Sequence, residues 1–212
     1  MSNPSIEELQ NSEEFELIAE LHHSEIKEFV VSRLTGDNFL IKIYMYYQMA
    51  MVVFGLFFLT RSIVFMIQKS PESFYFAVGA LLFSFTILVP IHELLHGLAI
   101  KMTGAPNVNY GAYFRKFIFY AEADRHVLNR KEFAFVALTP LVAIQFLTLI
   151  GLLVFWSSSW MYSFAIIMSV HSLFCAGDIG LLSIFYQDNK PDKFTYDVKS
   201  EKKSYYYQRR NS

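Results

Sequence analysis

Residues 88–100 read "LVPIHELLHGLAI". Two histidines and a glutamate, His92, Glu93 and His96, interrupt an apolar run of the kind that crosses a bilayer. The flanks set the class. No Asp, Glu, Lys or Arg occurs over the 18 residues from Ile43 to Thr60, the 19 from Ser73 to Ile91, or the 45 from Phe133 to Gly177. At about 20 residues per crossing, the last window holds two spans. Its polar break is "WSSSW" at 156–160, with tryptophans at both ends as at a membrane interface. Charged residues are only 17% of the chain against 54% hydrophobic ones, well short of the quarter or so charged in soluble domains. The pattern predicts an all-α integral membrane protein with four transmembrane helices, near 41–67, 73–100, 131–156 and 160–186. A short cytoplasmic β-hairpin lies between the second and third.

Orientation follows from the basic residues. With four spans, both termini and the loop at 101–132 share one side. That side carries 16 of the 18 Lys and Arg residues and the other only Arg61 and Lys69, so a multi-pass cell-membrane protein with both termini cytoplasmic is expected. The first apolar stretch lies behind an acidic lead, unlike a secretory signal. A single cysteine, Cys175, excludes an internal disulfide; a net charge of −1 points to no particular partner, and nothing resembles a nucleic-acid footprint.

Three segments follow: an acidic cytoplasmic lead at 1–38, a four-helix membrane-embedded domain at 39–187, and a basic cytoplasmic tail at 188–212. In the lead, Phe15, Ile18, Leu21, Ile26 and Phe29 recur at roughly helical spacing and predict a helix lying on the membrane or the protein. Its His22-His23 pair reads as solvated or interfacial, because adjacent helical side chains diverge. In the loop, "NVNYGAYF" and "FIFYAEA" flank Arg115-Lys116 and predict the hairpin at 107–123. "NRKEF" then predicts a capped start to the third span, with Asn129 as cap and Glu132 three residues on. The tail reads as disordered, its charge set against anionic lipid.

The chemistry is in "HELLH". Residues four apart share one helical face, so His92 and His96 can offer nitrogens to one metal ion, with Glu93 in reach of a water held there. A shuffled chain of this composition shows the pattern roughly 0.01 times. Buried ionisable groups are also costly at membrane depth and mark function. A catalytic zinc wants a third protein ligand, and the candidates are His171, Asp178, His126 and Glu122. Depth chooses Asp178. His92 lies about 28 Å along its span from Ser73, and Asp178 about 27 Å along its own from Trp160. The two spans run in the same direction, so the groups arrive level. His171, about 10 Å shallower, reads either as a group facing the substrate or an oxyanion, or as a histidine hydrogen-bonded to a neighbouring helix. His126 and Glu122 read as interfacial. Gly177 and Gly180 permit close helix approach.

These residues resemble a family. A helix-borne "HELLH" near the cytoplasmic face, with an aspartate in "GDIG" two spans later, looks like the membrane-embedded zincin metalloproteases. More narrowly it resembles the small bacterial zincin peptidases related to site-2 protease, over residues 73–186. "ALTP" in the third span and a stranded loop after the zinc helix match as well. Site-2 proteases carry Asp-Gly in a Leu-Asp-Gly context, whereas here Gly177 precedes Asp178 and Ile179 follows. The resemblance implies one Zn2+ per chain on His92, His96 and Asp178, with Glu93 as the catalytic carboxylate. It implies a zinc endopeptidase acting on a membrane protein or peptide in contact with the bilayer; a homo-oligomer is compatible with it. The alternative is a non-catalytic membrane zinc protein of the same lineage, a chaperone, sensor or assembly factor. A metal transporter ranks last, since the span centres are bare of charge.

Overall fold

The computed structural model describes residues 3–34, 38–113, 118–187 and 192–210. Four helices are long and apolar enough to cross a membrane: Phe39–Ile67, Glu72–Met102, Arg130–Val154 and Trp160–Tyr186. Each lies within a few residues of a span expected from the charge-free windows. The first is α3 (Phe39–Ile67), and the third is α6 (Arg130–Val154). The second comprises α4 (Glu72–Phe83), a π-helical turn at Ser84–Leu88 and α5 (Val89–Met102). Pro90 has no N–H to give the carbonyl of residue 86, and the turn that widens ahead of it absorbs the misfit. The fourth span is broken. Its helix α7 (Trp160–Phe174) ends at Cys175, and α8 (Ala176–Leu182) begins anew.

The chain divides into two compact units, one of Lys42–His92 with Pro140–Ala176, the other of Met1–Ile41, Glu93–Thr139 and Gly177–Ser212. The first is the apolar unit. Phe58, Ala77, Ala80, Leu152, Met161, Tyr162, Ala165 and Ile166 form its core. Small residues let backbones approach there: a Cβ on Gly55 would come within 2.2 Å of the Ser169 hydroxyl, and one on Gly151 within 2.4 Å of the Phe164 ring. Phe57, Leu82, Phe146 and Leu153 stay exposed.

The second unit departs from the all-α expectation. It contains a two-stranded sheet, β2 (Asn109–Tyr113) with β3 (Ile118–Glu122), and a four-stranded antiparallel sheet. The first is the expected hairpin; its Arg115-Lys116 link and Phe117 lie outside the described residues. The larger sheet has the order β1-β6-β5-β4, from β1 (Phe15–His22), β4 (Leu128–Asn129), β5 (Lys193–Val198) and β6 (Lys203–Arg209). Thus the lead contributes a strand where a helix was expected, beside α1 (Ile6–Asn11) and α2 (Ile26–Leu34). The described part of the tail is a β-hairpin, not a disordered segment.

The physical reasons are local. In β1 the register shifts between Leu17 and Ala19. The bulge turns the strand over, so Phe15 packs with Leu9, Phe194 and Tyr196 on one face while Leu21 packs with Phe185 and Tyr206 on the other. The interrupted alternation leaves apolar residues three apart, which imitates a helix. In the tail, Tyr196, Tyr206 and Tyr207 are buried in apolar clusters, but lysines and arginines are interspersed with them in the sequence, and the charge hides the strand pattern. A tight turn joins the strands, with Lys202 at φ 55°.

The Asn129 cap forms as expected. Its Oδ1 accepts from the Glu132 N–H at 3.1 Å, and Glu132 Oε2 accepts from the Asn129 N–H at 3.0 Å. Replacing Asn129 with Ala costs about 1 kcal/mol; denaturant unfolding followed by circular dichroism measures it, and an unchanged midpoint contradicts the assignment.

The β3–sheet junction buries a titratable cluster. His23 Nδ1 lies 3.8 Å from Glu122 Oε2, and its Nε2 is 4.0 Å from Asp197 Oδ1 and 3.4 Å from the Ser204 hydroxyl. Burial pushes the Glu122 carboxyl up from 4.5 to about 7 and His23 down from 6.5 to about 4. The folded chain therefore keeps a Glu122 proton that the unfolded chain gives up. The stability this confers is complete below 4.5 and lost as pH rises through about 7. His23 acts on the other arm, where stability present above 6.5 is lost as pH falls through about 4. Glu122→Gln should raise the melting temperature above that of the wild type at about pH 8, the gap closing by about pH 5. A pH-independent gap in thermal scans would sink this account.

Candidate metal centre

Helix α5 carries His92, Glu93 and His96 in one and a half turns. His96 is 7% exposed and reads two partners. Its Nδ1 lies 3.0 Å from the Val136 carbonyl oxygen of α6, and its Nε2 lies 3.1 Å from Asp178 Oδ1 at the start of α8. The Val136 carbonyl is available for a reason legible in "ALTP". Residue 140, which would normally donate to it, is Pro140 and has no N–H. The proline thus leaves an acceptor inside a helix, and His96 takes it. Donation from Nδ1–H to that carbonyl commits Nδ1 and leaves Nε2 as the nitrogen that faces the aspartate. Asp178 keeps 19% of its side chain exposed.

The second strand pair is seated beside this histidine. A Cβ on Gly97 would come within 2.0 Å of the Tyr110 hydroxyl of β2, so glycine is what lets the hairpin lie against α5. Ala99 and Ile100 of α5 form a core with Ala105, Ala123, Leu128 and Val136. A Cβ on Gly180 would come within 2.8 Å of the Val30 side chain of α2, whereas one on Gly177 would meet nothing within 4 Å. Only Gly180 supports the close approach expected of both.

His92 is 5% exposed and lies in the first turn of α5, one helical turn before His96. Its Nδ1 is 3.0 Å from His171 Nε2 on α7, and His171 is fully buried. His171 is therefore hydrogen-bonded to a neighbouring helix, as one of its two readings has it. Helix α7 ends at Cys175, between His171 and Asp178 in the sequence. The Cys175 thiol, given no role from sequence, lies 3.8 and 3.9 Å from the two His171 ring nitrogens and donates to the His171 carbonyl at 3.4 Å. Its signal was present in the i, i+4 spacing of His171 and Cys175, the same as in His92 and His96. Of the other candidates, His126 Nε2 meets the Thr103 hydroxyl at 3.0 Å, and Glu122 belongs to the His23 cluster.

His92, His96 and Asp178 can each offer one ligand atom, two imidazole nitrogens and a carboxylate oxygen. Helices of spanning length that carry such a set define a class, a helical protein with His/Asp groups able to hold a metal ion. Residues 85–192, just over half of the chain, match the family described as "Putative zincin peptidase", and the chain belongs to that family. No curated protein and no solved structure matches the chain. Family membership makes it a metallopeptidase in broad class and zinc the implied metal.

The donors fit that ion. Zinc takes nitrogen and oxygen ligands at about 2.0–2.1 Å in a tetrahedron, which sets neighbouring ligand atoms about 3.3 Å apart. His96 Nε2 and Asp178 Oδ1 stand 3.1 Å apart. The Val136 carbonyl supplies the outer hydrogen bond that a zinc-binding histidine ordinarily makes.

Proposed function

We propose that the protein is a membrane-embedded zinc metalloendopeptidase. His92, His96 and Asp178 hold a single zinc ion, and the bonds cut belong to a membrane-associated protein near the cytoplasmic face. The carrying observation is the His96–Asp178 contact at 3.1 Å, with the far nitrogen of His96 committed to Val136. A histidine oriented from behind and facing a carboxylate is the arrangement of a ligand. His92 enters through the helix itself, since a residue four positions earlier shares the face of His96.

Zinc, when bound, acts as a Lewis acid and brings the ionisation of water near neutral pH. The rest falls to the chain. Glu93 takes the proton of the attacking water and returns it to the leaving amine. His96 and Asp178 keep their donor atoms fixed, the one through Val136 and the other from the first turn of α8. The β2–β3 hairpin, seated on α5 at Gly97, offers a strand edge on which an unwound substrate segment can be held extended. Tyr113 of β2 is the described residue to change there. Tyr113→Ala should alter cleavage and leave zinc content as it was, and loss of zinc in that variant would count against the clamp. Phe117, its expected companion, lies outside the described residues.

The retained Glu93 favours the enzyme over a non-catalytic zinc protein, whose site has no need of a base. The basic residues at the termini and in the loop support a cytoplasmic placement for both ends. The test is cleavage of a membrane-anchored reporter by protein reconstituted in vesicles. Hydrolysis that a zinc chelator abolishes and added zinc restores supports the reading. Chelator-insensitive hydrolysis, or none across a panel of transmembrane peptides, opposes it.

A further inference from the structure

The geometry points to a second metal position in this chain, formed by His92, His171 and Cys175, that takes a thiophilic divalent cation of the zinc–cadmium kind and competes for His92 with the catalytic ion. The site stands on its own geometry; the competition rests on the zinc-peptidase reading above.

The three donors come from the first turn of α5 and the last turn of α7 with its capping residue. Their ligand atoms all lie within 4.8 Å of one another. A tetrahedral zinc with bonds of about 2.05 Å to nitrogen and 2.3 Å to sulfur places nitrogens about 3.3 Å apart, and nitrogen and sulfur about 3.6 Å apart. Here His92 Nδ1 and His171 Nε2 are 3.0 Å apart, and His171 Nε2 and Cys175 Sγ 3.9 Å. These two edges lie within about 0.3 Å of the tetrahedral values, and the third, from His92 to Cys175, lies within 4.8 Å. All three side chains are buried, at 5%, 0% and 0% exposure. The Tyr47 hydroxyl, buried and without a hydrogen-bond partner, lies within electrostatic reach of the Cys175 sulfur. A buried hydroxyl without a partner at the depth of a membrane span is costly unless a ligand uses it. A thiolate with two imidazoles selects soft cations over Mg2+ or Ca2+.

Proton bookkeeping makes the two positions exclusive. A neutral imidazole has one proton and one ring lone pair. When His92 gives its Nε2 lone pair to the catalytic ion, its Nδ1 keeps the proton and donates it to His171 Nε2. Binding at the second position needs lone pairs on His92 Nδ1 and His171 Nε2 at once. The shared proton must then move to His92 Nε2, which withdraws that nitrogen from the catalytic ion. The Cys175 thiol loses its proton to solvent as sulfur binds, so one proton leaves per cation. A cation at this position turns His92 away from catalysis without altering His96 or Asp178.

Cadmium tests this on the full chain in detergent, because sulfur-to-cadmium charge transfer reports Cys175 directly. Titrating metal-free wild type with Cd2+ should produce the band. Asp178→Ala should keep it, and Cys175→Ser and His171→Ala should lose it while circular dichroism shows their helices intact. In zinc-loaded wild type, growth of the band should release zinc to a chelating dye in equal amount. No band in wild type overturns the site whatever the variants do, and loss of the band in Asp178→Ala overturns it too. A band that grows while zinc stays bound overturns the competition. The catalytic zinc reading survives the first of these failures, since zinc bound through His96 and Asp178 without sulfur satisfies it.

Discussion

Glu93→Gln is expected to lower peptide hydrolysis by about 10²- to 10⁴-fold, the usual contribution of a positioned general acid–base, and to leave the zinc content untouched. Glutamine keeps the size and hydrogen-bonding reach of the side chain and loses only the ability to take a proton. Glu93 follows His92 on α5 and is half-buried, so it is not among the ligands assigned here. Because its proton transfers belong to the transition state, the loss should fall on kcat and leave KM nearly as it was. Single-turnover cleavage by vesicle-reconstituted wild type and variant, at equal zinc loading, gives the comparison. A variant within tenfold of wild type puts the base elsewhere, and one that also loses zinc makes Glu93 a structural residue.

The second large effect concerns affinity for the metal. Removing an outer-shell partner of a zinc ligand costs about 10- to 100-fold in affinity, so removing a ligand itself should cost at least about 100-fold. His96→Ala and Asp178→Ala should each do so. Both are best measured in a Cys175→Ser background, where sulfur cannot recapture the ion, by competition against a chromophoric chelator. Asp178→Ala also leaves His96 buried with its Val136 bond intact but its carboxylate partner gone, so the helices stay in place while the ion leaves. Affinity within about tenfold of the parent for Asp178→Ala would assign the third ligand to another residue.

Much of this was legible in the residues because membrane depth is a one-dimensional problem. Counting along two spans from Ser73 and Trp160 placed Asp178 level with the histidines, and the structure brings it to His96. The Asn129–Glu132 cap was readable because its partners are three residues apart. What escaped involved a change of register. The bulge in β1 converted alternation into false helical spacing, and the end of α7 at Cys175 interrupts a span that reads in sequence as continuous. A chain-wise count cannot see either, since both alter the angle between residues without altering their number. The tail strands escaped for a compositional reason: tyrosines interspersed with lysines and arginines look, in sequence, like a solvated tail.

The role of Pro140 was half visible. Its place in "ALTP" matched the resemblance, but its consequence, a Val136 carbonyl left for His96, needed the distance of 3.0 Å. The same holds for Cys175, whose spacing from His171 was in view and whose meaning lay in the His92 contact.

Zinc content of the detergent-purified chain, by elemental analysis of wild type and His92→Ala, tests the central claim most directly, because His92 belongs to both proposed metal positions. About one zinc per chain is expected in the wild type and less than about a tenth of that in the variant. Zinc-free wild type purified without chelator, or a His92→Ala variant that keeps its zinc, would contradict it.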